Sequence, residues 1–355
     1  MDRTGRLLER VGLGPQEAIL IHKPANAFYL SGYKGEGILV IAGDLRAIVT
    51  DFRYVEQAQR EAPGWQVHSI SPQVNHIRLA ANLLTPLGIR ALYYEDDFVT
   101  VKAFAAMQAA FEGLDFLSLA LAPEQLRMIK DAQELQHMKR ACAISCQAFD
   151  WILGEIAPGL SEKEIQLKLD YRMLALGADS LAFSSIVAGG PNGSLPHAVP
   201  SDRKLEKGDL LTLDFGARYQ GYCSDMTRTV AIGQPSDQLR HIYDTVLEAQ
   251  TTCQDALAPG EDCRAIDQMA RDIIAREGYG QYFGHGLGHA VGIDIHEEPR
   301  LSQTSTAQLQ AGMVMTVEPG IYLPGIGGVR IENSCVVTDT GANSLITAPR
   351  ELIII

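Results

Sequence analysis

The sequence of 355 residues has no apolar run approaching the roughly 18 to 20 residues of a membrane-spanning helix. Its first residues, MDRTGRLLERVGLG, are charged and lack the apolar stretch of a secretory signal. Acidic residues outnumber lysine and arginine by 43 to 30, which gives a formal net charge of −13. Because nucleic acids and anionic membranes are bound by concentrated positive charge, we expect neither as a partner.

Cysteine is also scarce, with six residues and no CxxC pair. Cys142 and Cys146 lie four residues apart in a helical pattern near His137, a spacing that a metal could use, but buried free thiols are the usual outcome. Because neither a disulfide framework nor a secretory signal is evident, we expect a protein of the reducing cytoplasm.

The chain does contain ample apolar material, 46% of its residues, and enough length for two domains. Up to residue 122, short apolar runs such as EAILIHKP and GILVIAG alternate with helical patterns such as VKAFAAMQAAFEGL, which predicts a smaller α/β domain. From residue 208, two pairs of strands are separated by two helices, near 236–257 and 262–277. Residues 123–355 are therefore expected to form a second, α+β domain.

Acidic residues interrupt both strand pairs at spacings that bring carboxylates together. Asp214 and Asp225 flank one turn, and Glu318 and Glu332 flank a second turn that contains Gly325. If each hairpin closes at its midpoint, the two carboxylates are directly opposed, with Cβ atoms about 4.5–5.5 Å apart. Burying four carboxylates without compensation is costly, and divalent cations would offset that cost. We therefore expect two metal ions, about 3.5–4 Å apart.

Histidines are concentrated in GHGLGHAVGIDIHEEP, where His285, His289 and His296 lie among four glycines that leave room for a substrate or a backbone. The alternation in GIDIHE predicts a strand with Asp294 and His296 on one face. His197 lies in a Gly/Pro-rich segment, GPNGSLPHAVP, which is a typical setting for a site residue. Four carboxylates and an imidazole suit Mn²⁺, Co²⁺, Fe²⁺ or Zn²⁺, whereas the lack of thiolates argues against structural zinc.

In these residues the sequence resembles the pita-bread metallopeptidases, the superfamily of methionine aminopeptidase, aminopeptidase P and prolidase. The matching stretches cover nearly the whole chain and include YLSGYKGEGILVIAGDLRAIVTDFRYVEQA, LPHAVPSDRKLEKGDLLTLDFGARYQGYCSDMTRT, GHGLGHAVGIDIHEEPRLS and MVMTVEPGIYLPGIGGVRIEN. The resemblance implies a pita-bread catalytic domain preceded by a creatinase-type N-terminal domain, which methionine aminopeptidase lacks. Creatinase shares both domains but lacks the metal ligands, all of which are present here.

The resemblance also implies roles for individual residues. The family's metal ligands match Asp214, Asp225, His289, Glu318 and Glu332. Its catalytic residues match His197, His285, His296, Arg330 and again Glu318, which would move the proton of the attacking water. Its substrate contacts match the same three histidines together with an apolar wall at Phe183 and Ile186. Apart from the resemblance, we expect Arg300, four residues after His296, to meet the carboxylate of a dipeptide, which favours a dipeptidase.

The activity that the resemblance implies is hydrolysis of Xaa-Pro bonds in short proline-containing peptides by two divalent ions, Mn²⁺ or Co²⁺ before Zn²⁺ or Fe²⁺. An Xaa-Pro dipeptidase is the first interpretation. An Xaa-Pro aminopeptidase that acts on longer peptides is the alternative, because both enzymes share the metal site. A non-catalytic binding protein on the same fold is disfavoured, because such proteins usually lose metal ligands. The family leads us to expect a homodimer.

Overall fold

The computed structural model describes residues 2–355, and the chain divides into two compact units, Met1–Arg127 and Met128–Ile355. The division follows a short helix, Ala122–Arg127, whereas the boundary expected after residue 122 leaves only the first residue of this helix in the first domain. Arg127 ties this helix to the first unit, because its Nη1 donates to Oδ1 of the buried Asn26 at 2.8 Å. Across residues 2–355, no helix has both the length and the apolar character needed to cross a membrane.

Within residues 2–127, the first unit contains a six-stranded sheet and six α-helices. Its strands are β1 (Glu17–Ile21), β2 (Ile38–Ala42), β3 (Leu45–Thr50), β4 (Gln66–Ser69), β5 (Ala91–Tyr94) and β6 (Asp115–Ser118). Its helices are α1 (Arg3–Val11), α2 (Pro24–Ser31), α3 (Val55–Glu61), α4 (His76–Leu84), α5 (Val101–Ala110) and α6 (Ala122–Arg127). The strand order is β4-β3-β2-β1-β5-β6, with β2 antiparallel to both neighbours and the other pairs parallel. The central strands β1 and β2 are buried almost throughout, which explains their continuous apolar runs.

The second unit combines four longer helices with several antiparallel sheets. Its helices are α7 (Ala132–Leu153), α8 (Glu162–Ala175), α9 (Asp237–Asp255) and α10 (Cys263–Arg276). Its strands are β7 (Ser180–Leu181), β8 (Ile186–Gly189), β9 (Leu210–Phe215), β10 (Ala217–Tyr219), β11 (Tyr222–Cys223), β12 (Met226–Ala231), β13 (Gly288–Ala290), β14 (Glu297–Leu301), β15 (Val314–Val317), β16 (Gly320–Leu323), β17 (Gly327–Arg330), β18 (Asn333–Val337) and β19 (Ala342–Ser344). Strands β8, β9 and β12 form one sheet, and β13, β14, β15, β18 and β19 form another.

Local signals place the helices of this unit. Helix α8 begins with a capping box, in which Ser161 and Glu164 bond each other's backbone N–H groups, and a serine followed three residues later by a glutamate is the sequence pattern of this cap. Helices α9 and α10 lie within the two ranges predicted for them, and their buried faces share one apolar core with strands β15 and β17. The strands that carry the acidic residues are thereby held on a packed helical layer.

The first acidic hairpin closes one residue later than its midpoint predicts. Tyr219 pairs with Tyr222 across Gln220 and Gly221, which have positive φ values of 50° and 85°. Two left-handed residues define a two-residue turn whose twist matches that of the strands, and this turn sets the register. Asp214 is consequently paired with Thr227 rather than with Asp225.

The second acidic hairpin has the predicted register. Val317 pairs with Asn333 and Gly320 with Arg330, so that Glu318 falls opposite Glu332. Gly325 lies in the turn with a φ of 73°.

The prediction of a strand throughout GIDIHE is wrong, because residues 292–296 form a series of bends and β14 begins only at Glu297.

Candidate metal centre and substrate cleft

One cavity of about 770 Å³ in the second unit brings together every site residue that the sequence singled out. Its lining includes Asp214, Asp225, His289, Glu318 and Glu332, which were predicted as metal ligands. It also includes His197, His285, His296, Arg300, Arg330, Phe183 and Ile186. The volume lies within the range of ordinary small-molecule sites, about 300–1,000 Å³.

Three of the five predicted ligands converge most closely. Asp225, His289 and Glu332 are buried, and each offers a ligand atom within 4.8 Å of the other two, the one such cluster of three found among residues 2–355. The Nε2 atom of His289 lies 3.3 Å from Oε1 of Glu318 and 3.6 Å from Oδ2 of Asp225. Four potential metal ligands from four separate segments of the chain therefore surround one small volume.

Asp214 is held at the edge of this cluster by a buried arginine. Nη2 of Arg330 donates to Oδ2 of Asp214 at 2.6 Å, while Oδ1 of Asp214 is buried without a hydrogen-bond partner. Glu332 is similar, because Oε2 accepts from Thr227 at 2.7 Å and Oε1 has no partner. Since buried polar atoms are nearly always paired, these two oxygens are available to bind a cation.

Without a cation between them, the negative charges of the clustered carboxylates repel one another. Burial, reinforced by the neighbouring carboxylates, raises the pKa of Asp225 and of Glu332 well above the usual range. Burial also raises the pKa of Asp214, although Arg330 opposes this shift. Burial acts in the same direction on Glu318, but the hydrogen bond and charge of His289, together with His285 and Arg330, outweigh it and lower the pKa of Glu318. Divalent cations would relieve this repulsion, so the oxygen-rich donor set fits hard or borderline metal ions.

The strands bring the carboxylates together in two ways. Asp225 lies two residues before Thr227, the partner of Asp214, so Asp214 and Asp225 are diagonal neighbours on one face. Such neighbours are about 7–8 Å apart between Cα atoms, which carboxylate side chains can bridge. Glu318 and Glu332 face each other directly because of the register of their hairpin.

The glycines of the histidine segment mainly make room for the protein itself. A Cβ atom at Gly288 would lie 2.1 Å from the carbonyl oxygen of Thr316, and one at Gly292 would lie 2.5 Å from Oε2 of Glu297. A Cβ atom at Gly284 would meet nothing within 4 Å. Close packing of β13 against β15 therefore requires Gly288, beside the predicted ligand His289.

The cleft histidines lie in distinct settings. The rings of His289 and His296 meet edge to face, with centroids 4.5 Å apart. Nε2 of His285 is 2.8 Å from the hydroxyl of Tyr322, and His197 follows a short 3₁₀ helix at Gly190–Ser194. Burial lowers the pKa of both His285 and His296, which favours their neutral forms near pH 7.

Three polar residues that support the site were missed by sequence reasoning. The hydroxyl of Tyr322 accepts a hydrogen bond from Nη1 of Arg330 at 2.9 Å and contacts His285. The hydroxyl of Thr227 donates to Glu332, and that of Thr316 accepts from the backbone N–H of His289 at 3.0 Å. Thr227 and Thr316 each lie two residues from a predicted ligand, Asp225 and Glu318, and this alternation is the sequence signal that could have found them, whereas Tyr322 has no comparable signal.

The predicted substrate contacts surround the same cavity. Ile186 pairs with Asp214 across β8 and β9, and Phe183 precedes this strand. Arg300 pairs with His289 across β13 and β14, and its side chain is half exposed, with Nε 3.4 Å from Glu298. All six cysteines are buried free thiols, as expected, and they form no metal-binding group within the described part of the chain.

Known proteins are similar to this chain in sequence and in fold. Residues 136–339 match metallopeptidase family M24, and residues 3–129 match the creatinase/prolidase N-terminal domain. The chain is 37% identical to the Xaa-Pro dipeptidase of Pyrococcus furiosus, over 99% of each chain. It superimposes on the structure of an Xaa-Pro dipeptidase from Bacillus anthracis with a TM-score of 0.95, at 41% identity over 99% of each chain. For an X-Pro aminopeptidase from Thermotoga maritima the TM-score is 0.91, at 36% identity over 98% of this chain and 100% of the other.

The fold and the acidic cleft thus define a hydrolase that uses divalent metal ions. The chain belongs to metallopeptidase family M24. The resemblance drawn from the sequence is confirmed, and so is the expected fold class of a creatinase-type N-terminal domain followed by a pita-bread catalytic domain.

Proposed function

We propose that this enzyme hydrolyses Xaa-Pro bonds, as an Xaa-Pro dipeptidase. The observation that carries the proposal is the convergence of the predicted metal ligands, the cleft histidines and the apolar wall on one cavity. The names of the Pyrococcus furiosus and Bacillus anthracis proteins support the same substrate class.

Asp214, Asp225, His289, Glu318 and Glu332 would hold two divalent ions, with Mn²⁺ or Co²⁺ our first choice. When bound, such ions supply Lewis acidity, which lowers the pKa of a water molecule and polarises the scissile carbonyl. The donor chemistry supports this proposal, because carboxylate oxygens with an imidazole nitrogen suit these metals better than Cu⁺ or structural zinc.

One of these ligands and several other side chains of the cleft would move protons and orient the substrate. Glu318 would take the proton of the attacking water and pass it to the departing nitrogen. His296 would donate a hydrogen bond to the carbonyl oxygen as negative charge develops there. His197 would hold the substrate near the leaving nitrogen, and Arg330 fixes Asp214 by its hydrogen bond at 2.6 Å.

A proline nitrogen in a peptide bond carries no hydrogen and is hindered by its ring, so a dedicated pocket is required. Phe183 and Ile186 would form the apolar wall of this pocket. Arg300 would bind the carboxylate of a dipeptide, because this residue lines the cavity and its side chain is half exposed.

An Xaa-Pro aminopeptidase is the second candidate, supported by the likeness to the Thermotoga maritima protein. Assays of Ala-Pro, Ala-Pro-Ala and Ala-Ala, with Mn²⁺, Co²⁺ or Zn²⁺ added in turn, separate the alternatives. We expect rapid cleavage of Ala-Pro, slow cleavage of Ala-Pro-Ala and none of Ala-Ala. A chelator should abolish turnover, and added metal should restore it. Faster cleavage of the tripeptide would favour the aminopeptidase, and undiminished activity in chelator would refute the metal mechanism.

Three further expectations stay predictions: the identity of the physiological metal, a homodimeric assembly and a cytoplasmic location.

A further inference from the structure

The three cleft histidines that are not predicted metal ligands all lie outside regular strands. His197 follows the 3₁₀ helix, His285 lies in an irregular segment before β13, and His296 ends a series of bends. Irregular segments are the most mobile parts of a fold unless they are held by specific contacts. In each case a buried carboxylate side chain accepts hydrogen bonds from the segment that carries the histidine. None of these three carboxylates lines the cavity.

Glu162 bridges both ends of the segment that carries His197. One of its oxygens accepts from the backbone N–H of Gly189 at 2.7 Å. The other accepts from the backbone N–H and the hydroxyl of Ser201, at 2.9 and 2.7 Å, and from the side-chain amide of Asn192 at 2.8 Å. Glu162 is fully buried, and four donors point at it. Only an ionised carboxylate accepts on all sides, because a glutamine would turn its own NH₂ group toward some of these donors.

Asp267 and Arg271, both on α10, together hold the segment that carries His285. Oδ1 of Asp267 accepts from the backbone N–H of Leu287 at 2.9 Å. Arg271, which is paired with Asp267 at 2.7 Å, donates to the carbonyl oxygens of Phe283 and His285 at 3.2 and 2.6 Å. The ion pair therefore fixes the backbone on both sides of His285.

Glu297 holds the bends that lead to His296. Its Oε1 accepts from the backbone N–H groups of Ile293 and Asp294 at 2.9 and 3.2 Å. Its Oε2 lies 3.1 Å from Nζ of Lys130, in an ion pair whose side chains are 7% and 1% exposed. The segment is thus closed on itself and anchored to a buried cation.

We propose that Glu162, Asp267 and Glu297 are positioning residues, each for one histidine of the cleft. Each acts by holding a separate backbone segment, so that His197, His285 and His296 are positioned independently of one another. The inference rests on the proposed function only where catalytic rates are used to measure it.

Hydrogen exchange of the metal-loaded protein tests the structural half. Each variant should raise the amide exchange rate at least about fivefold in one segment and leave the other two segments unchanged. The affected segment should be residues 189–201 for E162Q, residues 283–287 for D267N and residues 292–297 for E297Q. Exchange that rises in all three segments in every variant, or in none, would overturn the proposal. If D267N does not fold, Arg271→Met replaces it, because that variant removes two donors and keeps the Leu287 bond.

Double-mutant cycles test the catalytic half. Each carboxylate variant is combined with His197→Ala, His285→Ala and His296→Ala, and kcat/KM is measured on Ala-Pro. E162Q should lower kcat/KM about tenfold in the native background and less than about twofold when His197 is absent. The same variant should still cost about tenfold in the His285→Ala and His296→Ala backgrounds, and the other two carboxylates should show the matching pattern.

The controls of this experiment are the double mutants in which the carboxylate and the histidine belong to different segments. A merely structural role lowers the rate by the same factor in every background, and such uniform factors would overturn the proposal. If the native enzyme does not cleave Ala-Pro, the proposed function fails, while the exchange pattern still decides whether each carboxylate holds its own segment.

Discussion

The hydroxyl of Tyr322 joins two polar groups of the cleft that are far apart in the chain. It lies 2.8 Å from Nε2 of His285 and accepts from Arg330, which in turn holds Asp214. Tyr322→Phe keeps the ring and leaves both partners short of one hydrogen bond inside the protein. Because an unsatisfied buried group costs about 1–3 kcal/mol, we expect kcat/KM on Ala-Pro to fall by about one order of magnitude or more.

A matched change elsewhere in the same unit separates catalysis from stability. The hydroxyl of the buried Tyr243 donates to the carbonyl oxygen of Arg350 at 2.5 Å, away from the cavity lining. Tyr243→Phe should lower the melting temperature and leave kcat/KM unchanged. Equal kcat/KM values for Tyr322→Phe and the native enzyme would show that the Tyr322 hydroxyl does not contribute to catalysis.

At the scale of elements, the approach of β13 to β15 depends on one missing side chain. A Cβ atom at Gly288 would lie 2.1 Å from a backbone oxygen of Thr316, so Gly288→Ala must move the strand that carries His289. We expect weaker Mn²⁺ binding by titration calorimetry, by about tenfold or more, because a shift near 1 Å spoils a preorganised site. Gly284→Ala, four residues earlier in an open position, is the control and should bind Mn²⁺ as the native chain does. Equal affinities in both variants would contradict this account of the glycine.

At the scale of the whole molecule, the first unit contains an acid-sensitive imidazole. Both ring nitrogens of His22 are buried without a hydrogen-bond partner. Burial, with a smaller contribution from His76, lowers the pKa of His22 to about 4. The unfolded chain therefore binds a proton that the folded chain excludes, and stability present above pH 6.5 is lost as the pH falls toward 4.

His22→Leu should remove this dependence. Between pH 7 and pH 4.5 we expect the native first unit to lose about 2 kcal/mol more of its unfolding free energy than the variant. Trp65 and Trp151 are the two tryptophans, one in each unit, so Trp151→Phe leaves Trp65 as the fluorescent reporter of the first unit. Parallel stability curves for the two proteins would show that His22 does not titrate on unfolding.

Local patterns in the sequence were sufficient for much of the architecture. The Ser161 capping box, the buried runs of β1 and β2, and the register that opposes Glu318 to Glu332 all follow from spacing within a few to fifteen residues. They could be predicted because turn chemistry and periodicity act over short stretches of chain.

Tertiary structure alone decided how the cleft is assembled. The contact between Tyr322 and His285 spans 37 residues, and the hydrogen bond between Thr227 and Glu332 spans 105. Periodicity specifies which side of an element faces inward, whereas packing between distant elements determines which inward-facing groups meet.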